Sequence, residues 1–151
     1  MRQNAYRYVL TRKWGDDDSN LVMFIGLNPS TADEHTDDPT IRRCTQFAKA
    51  WGYDGLIMTN LFALRATDPR EMIMHADPVG EMNDVILRSA SECASKIVAM
   101  WGNYGGHRNR GEQILKQFSN LHYLKMTQLN QPAHVLYLPN DLTPKVMQWS
   151  C

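Results

Sequence analysis

The stretch of residues 21–43, LVMFIGLNPSTADEHTDDPTIRR, constrains the fold more than any other part of the chain. Residues 21–27 are almost continuously apolar, the pattern of a central strand covered on both faces. A polar loop built on Gly26-Leu27-Asn28-Pro29-Ser30-Thr31 follows, and a helix starts near Pro39. Asp38 is suited to cap that helix, with Pro39 at the first position, where a missing N–H costs nothing. A helix begun there carries Ile41, Cys44, Phe47, Ala48 and Trp51 on one face. Gly26 lets a ligand or another backbone come close, and Pro29 stiffens the turn. A buried strand that leads through such a loop into a helix start is a common ligand site in α/β proteins. Asn28, Ser30, Thr31, Asp33, Asp37 and Asp38 crowd the loop with polar groups.

The same alternation recurs downstream. Residues 55–62 (GLIMTNLF), 96–101 (KIVAMW) and 121–126 read as further buried strands. Helices are expected from Pro69, over about 81–95 and over about 110–118, and residues 143–149 read as a last helical turn. Residues 6–10 and 12–14 form an earlier strand, and the turn at 16–20 would let it pair with the next strand as a hairpin. The order predicts a three-layer α/β/α domain with a mainly parallel four-stranded sheet and an added N-terminal antiparallel strand. The carboxyl ends of parallel strands share one edge, and ligands bind there. Four polar clusters converge on that edge by topology: residues 28–38, 60–68, 102–110 (with a flexible turn at 102–106) and 127–134.

The totals narrow the function. At 151 residues and 43% apolar content the chain forms one domain with a sizeable core. Sixteen basic and sixteen acidic residues balance, with a pI of about 7.0, which argues against a protein that holds nucleic acid by bulk positive charge. Cys44, Cys93 and Cys151 are far apart and odd in number, so neither a disulfide framework nor a metal-ligand spacing arises. A reducing cytoplasm is the expected setting. Arg2, Tyr6, Arg7 and Arg12 interrupt any signal-peptide pattern, and no apolar run reaches membrane-spanning length, so no membrane partner is expected. His35 beside Asp33, Asp37 and Asp38 lacks diagnostic spacing, and neither a metal nor another cofactor is expected. Nothing in the sequence specifies a protein partner.

The four clusters, in their order, resemble the motifs of the uracil-DNA glycosylase superfamily. Gly26-Leu27-Asn28-Pro29-Ser30 resembles its Gly-x-(Asp/Asn)-Pro turn after the first parallel strand, in the Asn form of the mismatch-specific branch. Asp38-Pro39-Thr40-Ile41-Arg42-Arg43 resembles the Pro-x-x-Arg helix start of that branch. Thr59-Asn60-Leu61-Phe62 with Arg65-Ala66-Thr67, then Trp101-Gly102, then Pro132-Ala133-His134 resemble its later segments. The resemblance covers about residues 21–138. The chain resembles more closely an uncharacterised bacterial and phage family with an Asn-Pro-Ser-Thr signature, here residues 28–31.

The superfamily resemblance implies N-glycosidic bond hydrolysis, with Asn28 and His134 as catalytic residues. Asn28 would hold the attacking water, and His134 would donate to the departing base. A neutral Asn is a weak base, so such a site would be slow. Asn60 would read the base edge with the donor and acceptor of its amide. Ser30, Thr31, Asp38, Thr40, Arg42, Arg65 and Tyr104 would complete a base- or nucleotide-binding site, with Tyr104 stacking. Arg42 and Arg43 sit at a helix start, where a cation is disfavoured unless an anion is near. Arg108, Arg110 and Lys116 are expected on a solvated helix face. A nucleic acid or a nucleotide is therefore the expected partner.

Other features favour a small ligand. Asp33, Glu34, Asp37 and Asp38 would repel a polyanion, Val135 stands where the superfamily has Pro, and no wedge loop with basic neighbours flanks His134. The alternative function is thus non-catalytic binding of a nucleotide or modified base, in phage–host conflict or base modification. An open cavity between Asn28, Asn60 and His134 separates both readings from a domain that kept the fold and lost its site.

Overall fold

A computed structural model describes residues 5–147. The expectations that fall on Arg2, Trp149 and Cys151 lie outside those residues. Two adjacent strands make the centre: β2 (Leu21–Gly26) and β3 (Gly55–Asn60), which is buried along its whole length. They run parallel in a register that sets Gly26 beside Asn60. Strand β4 (Lys96–Ala99) pairs with the other edge of β2, and β5 (Leu121–Tyr123) pairs with β4, both parallel. Strand β1 (Leu10–Lys13) lies antiparallel on β3, and β6 (Lys145–Val146) antiparallel on β5. The result is a six-stranded mixed sheet in the order β1-β3-β2-β4-β5-β6.

Strand alternation divides the core between the two faces of the sheet. Val22, Phe24, Leu56, Met58, Val98 and Met100 pack with Ile41, Cys44, Phe47 and Ala48 of α1 (Pro39–Ala50). Met23, Ile25, Ile57, Ile97 and Ala99 pack with Met72 of α2 (Pro69–Ile73), Leu87 and Ala90 of α3 (Asn83–Cys93), and Ile114 of α4 (Arg110–Gln117). Each of the large side chains among these contributes roughly 1.5–3 kcal/mol by leaving water. Asp38 caps α1 as its spacing predicts: it is extended, and its Oδ1 accepts the Ile41 N–H at 2.9 Å. The chain leaves β2 for α1 on one face, whereas both neighbours of β2 lead to helices on the other. Loops that part in opposite directions open a crevice at the carboxyl ends of the strands.

Three expectations change. The first is the hairpin: β1 pairs with β3, because both edges of β2 are occupied by parallel strands. The connection instead anchors on Asp54, whose carbonyl accepts the Trp14 and Gly15 N–H groups and whose carboxylate accepts that of Asp17. The second is the flexible turn at 102–106, which belongs to a 3-10 segment, Asn103–Asn109. Gly105 there is pressed so close to the Trp101 ring that a Cβ would stand 1.9 Å from its Cδ1. The third is the terminal helical turn. Residues 145 and 146 form β6, which satisfies the edge of β5 that would otherwise face water.

Candidate functional site

A cavity of about 650 Å³ opens at the carboxyl ends of β2, β3 and β4. That is the size of a small-molecule site. Gly26, Met58, Asn60 and Met100 line it from the strand ends, residues 28–31 and 38–41 from the β2–α1 connection, and His134, Leu136 and Tyr137 from the last loop. Asn28, Ser30, Thr31, Asp38, Thr40, Asn60 and His134 thus share one cavity, whereas Arg42, Arg65 and Tyr104 do not line it.

Asn28 joins two of the loops. Its Nδ2 donates to the carbonyls of Ala66 at 2.9 Å and Pro29 at 3.2 Å, tying the β2 loop to the β3 loop. Its Oδ1 is left as the acceptor available for a ligand or water. Asn60 is only 2% exposed, and its Nδ2 is buried without a hydrogen-bond partner among the described residues. An amide donor in that state carries a desolvation penalty that a ligand acceptor would remove. The backbone beneath it is held firmly. Buried Asn83 donates to the carbonyls of Asn60 and Leu61 at 3.0 and 2.9 Å, and the Arg110 Nε donates to Leu61 at 2.8 Å. Gly26 makes room for the amide, since a Cβ there would stand 2.8 Å from the Asn60 Oδ1.

His134 arrives on a loop folded back onto β4: Gly102 N–H donates to the Pro132 carbonyl at 2.8 Å, and Ala133 N–H to that of Lys125 at 2.7 Å. The His134 Nδ1 accepts the Leu136 N–H at 3.2 Å. In the neutral ring the proton therefore sits on Nε2, which makes Nε2 a donor. Burial pushes the imidazole below its ordinary value and outweighs the pull of Asp38, so the neutral form prevails near pH 7. The following segment turns as a short 3-10 helix, Val135–Tyr137, and Arg43 holds it by donating to the carbonyls of Val135 and Leu138 and to Asn140. Tyr137, 94% exposed, stands at the cavity rim.

Arg7 is a charged lining residue that the sequence did not single out. It is 8% exposed, and its Nη1 donates to the Ala32 carbonyl at 2.9 Å. Arg65 donates to the same carbonyl at 3.3 Å from outside the cavity. The Ala32 N–H lies 3.4 Å from the Asp38 Oδ2, so the two backbone polar groups of this one residue tie both arginines and the α1 cap together. Of the remaining candidates, Arg42 is exposed and donates to the Asp37 carbonyl, and Tyr104 is 46% exposed. Arg110 is not on a solvated face: it is 2% exposed and paired with Asp84 at 2.6 Å. Of the acidic loop only Asp38 lines the cavity; Asp33, Glu34 and Asp37 do not. Asp33 accepts the His35 and Thr36 N–H groups, and Asp37 pairs with Arg12 at 2.8 Å. Among the described residues no helix is long and apolar enough to cross a membrane.

These features define an α/β protein with a mixed sheet and a polar-headed cavity at the carboxyl ends of its strands. The chain belongs to the DUF1643 family, described as a protein of unknown function, whose model matches residues 7–136. No curated protein and no solved structure matches it.

Proposed function

We propose that the cavity binds a nucleobase and hydrolyses its N-glycosidic bond, in a nucleotide or in DNA. The observation that carries this reading is the buried, unpartnered Asn60 amide at the head of a cavity shared with Asn28 and His134. In the reaction water adds to the anomeric carbon, the bond to the base nitrogen breaks, and the base leaves with the electron pair. The Asn28 Oδ1 accepts a hydrogen bond from the water and orients it. The His134 Nε2–H donates a hydrogen bond to the base as negative charge develops there, and the base finally takes up the proton that the water gives up. Asn60 offers the donor and acceptor that read a pyrimidine edge. With this chemistry goes a uracil-DNA glycosylase-type arrangement of β3-β2-β4-β5. The test is release of free base from uracil-, thymine-mismatch- and hydroxymethylpyrimidine-containing DNA and from the corresponding nucleotides. Release is expected, reduced on the order of a hundredfold in Asn28→Ala and His134→Ala. No release from any substrate, or full release by both variants, would sink the hydrolytic reading.

A second reading rests on Asp38. Among the described residues it is the only carboxylate lining the cavity, and its oxygens face backbone N–H groups, so none of those residues offers a free general base at the water position. Binding without turnover then follows. It predicts saturable ligand binding and a raised melting temperature, both lost in Asn60→Ala, with the ligand recovered intact.

A further inference from the structure

Arg7 and Arg65 stand side by side behind the β2 loop, since their Nη1 atoms donate to one carbonyl oxygen. The Nε of each is buried without a hydrogen-bond partner among the described residues. Neither makes an ion pair among the described residues. Two cations so placed repel each other in a medium that screens weakly. Burial first, and the Arg65 charge next, pull the Arg7 guanidinium down to about 10, against the opposing pull of Asp38. It remains charged near neutrality. Pinning Ala32 requires one neutral donor, which a Gln would supply. Ala32 therefore accounts for neither the paired charges nor the free Nε groups.

Of the two, only Arg7 lines the cavity, and at 8% exposure it is too deep for a duplex backbone running over the surface. A terminal group carried into the cavity can reach it. Ser30, Thr31 and Thr40, whose hydroxyls make no hydrogen bond among the described residues, line the same cavity. A tetrahedral oxyanion suits that set, because it accepts from a guanidinium and several hydroxyls at once.

We propose that Arg7, backed by Arg65, binds the phosphate of a mononucleotide whose base sits at Asn60. The base end rests on the nucleobase reading above; the phosphate end rests on Arg7 and stands without it. A base alone occupies a small part of about 650 Å³, and the remaining volume has room for a sugar and a phosphate. The binding requires no covalent step.

Calorimetric titration and thermal shift with inorganic phosphate, the four 2′-deoxynucleosides, their 5′-monophosphates and a single-stranded oligonucleotide test this on the full chain. Phosphate is expected to raise the melting temperature, and one monophosphate to bind on the order of tenfold to a hundredfold more tightly than its nucleoside. Arg7→Gln should abolish that ratio, Arg65→Gln should reduce it, and the exposed-charge control Arg88→Gln should preserve it. If Arg7→Gln fails to fold, Arg7→Lys and Arg65→Gln carry the comparison, with a partial loss expected in each. A nucleoside that binds as tightly as its monophosphate overturns the phosphate site and leaves the nucleobase reading intact. Stabilisation by phosphate with no binding of any nucleoside or monophosphate overturns the nucleobase reading and the mononucleotide assignment, and leaves an anion site at Arg7. Binding of the oligonucleotide alone overturns the proposal in favour of a polymer backbone contact.

Discussion

Gly26 shows how a single hydrogen in place of a side chain shapes the site. Its backbone needs no positive φ, so its role is the space it leaves. A Cβ would meet the Asn60 Oδ1 at 2.8 Å and the methyl tips of Met58 and Met100 at 3.2 and 3.3 Å. The methionines can swing aside, but the clamped Asn60 must turn its amide. Gly26→Ala is expected to lower stability by about 1–2 kcal/mol in urea unfolding and to weaken ligand binding by more than that. Adding Asn60→Ala should then cost little further binding, as for two residues that act through one amide. Fully additive losses in that double-mutant cycle would show that Gly26 serves something else. His134 gives a second test. Its folded-state pKa is depressed by burial, so the unfolded chain binds the proton more tightly. Stability is therefore full above the unfolded value near 6.5 and falls as the pH drops through the lowered folded value. His134→Gln should flatten that acid limb in chemical unfolding measured across pH 4 to 7. If the neutral ring is the donor, base release should persist above pH 7; a rate that declines from pH 6 upward would mean that the imidazolium acts instead.

Among the elements, the β2–α1 connection is where sequence and structure agree most closely. Asp38-Pro39 fixes the start of α1 by local chemistry alone, and the cap forms as its spacing requires. The same carboxylate faces the Ala32 N–H and, among the described residues, is the only one lining the cavity with Arg7. Asp38→Ala should therefore cost about 1–2 kcal/mol in unfolding free energy, whereas Asp38→Asn, an equally good cap, should stay near the parent. Asp38→Asn should also bind phosphate more tightly, because it removes the one negative charge competing for Arg7; weaker binding would place the anion elsewhere. Strand–helix order was legible because periodicity is local, and that order brought Asn28, Asn60 and His134 to one edge. Arg7 was not legible. It reaches the cavity because its backbone N–H donates to the Ala63 carbonyl and β1 pairs with β3, contacts that no local pattern encodes. Arg110 reads as a surface residue by composition and is drawn inside by Leu61 and Asp84, both far from it in sequence. Gly105 escaped for a similar reason: a run of glycines suggests freedom, and only the packed Trp101 ring reveals a fit. Gly105→Ala should cost at least about 1–3 kcal/mol by forcing that ring aside.

On the scale of the whole molecule, sixteen cations face sixteen anions, so no excess field draws a polyanion to the surface. Charges that matter for binding must then be few and placed by the fold. The exposed acids near the β2 loop look outward and are held there by Arg12 and by backbone N–H groups, while the buried cation of Arg7 looks inward. On the proposed reading, the exposed acids outside the cavity would repel a duplex, and Arg7, which shares the cavity with Asp38, would accept one anion. The sequence displayed the acidic loop but not its direction, because orientation depends on Arg12, which reaches the loop from β1. That reading makes a quantitative prediction. A protein that displaces many counterions from a nucleic acid loses affinity steeply with salt, with a slope of about −0.9 per phosphate contact on a logarithmic plot. A mononucleotide held at one buried guanidinium should give a slope of magnitude about one or less over 50 to 500 mM salt. Titration of the preferred monophosphate across that range measures it directly. A steep slope, or oligonucleotide affinity that rises with length at low salt, would show that a dispersed surface rather than the cavity does the binding.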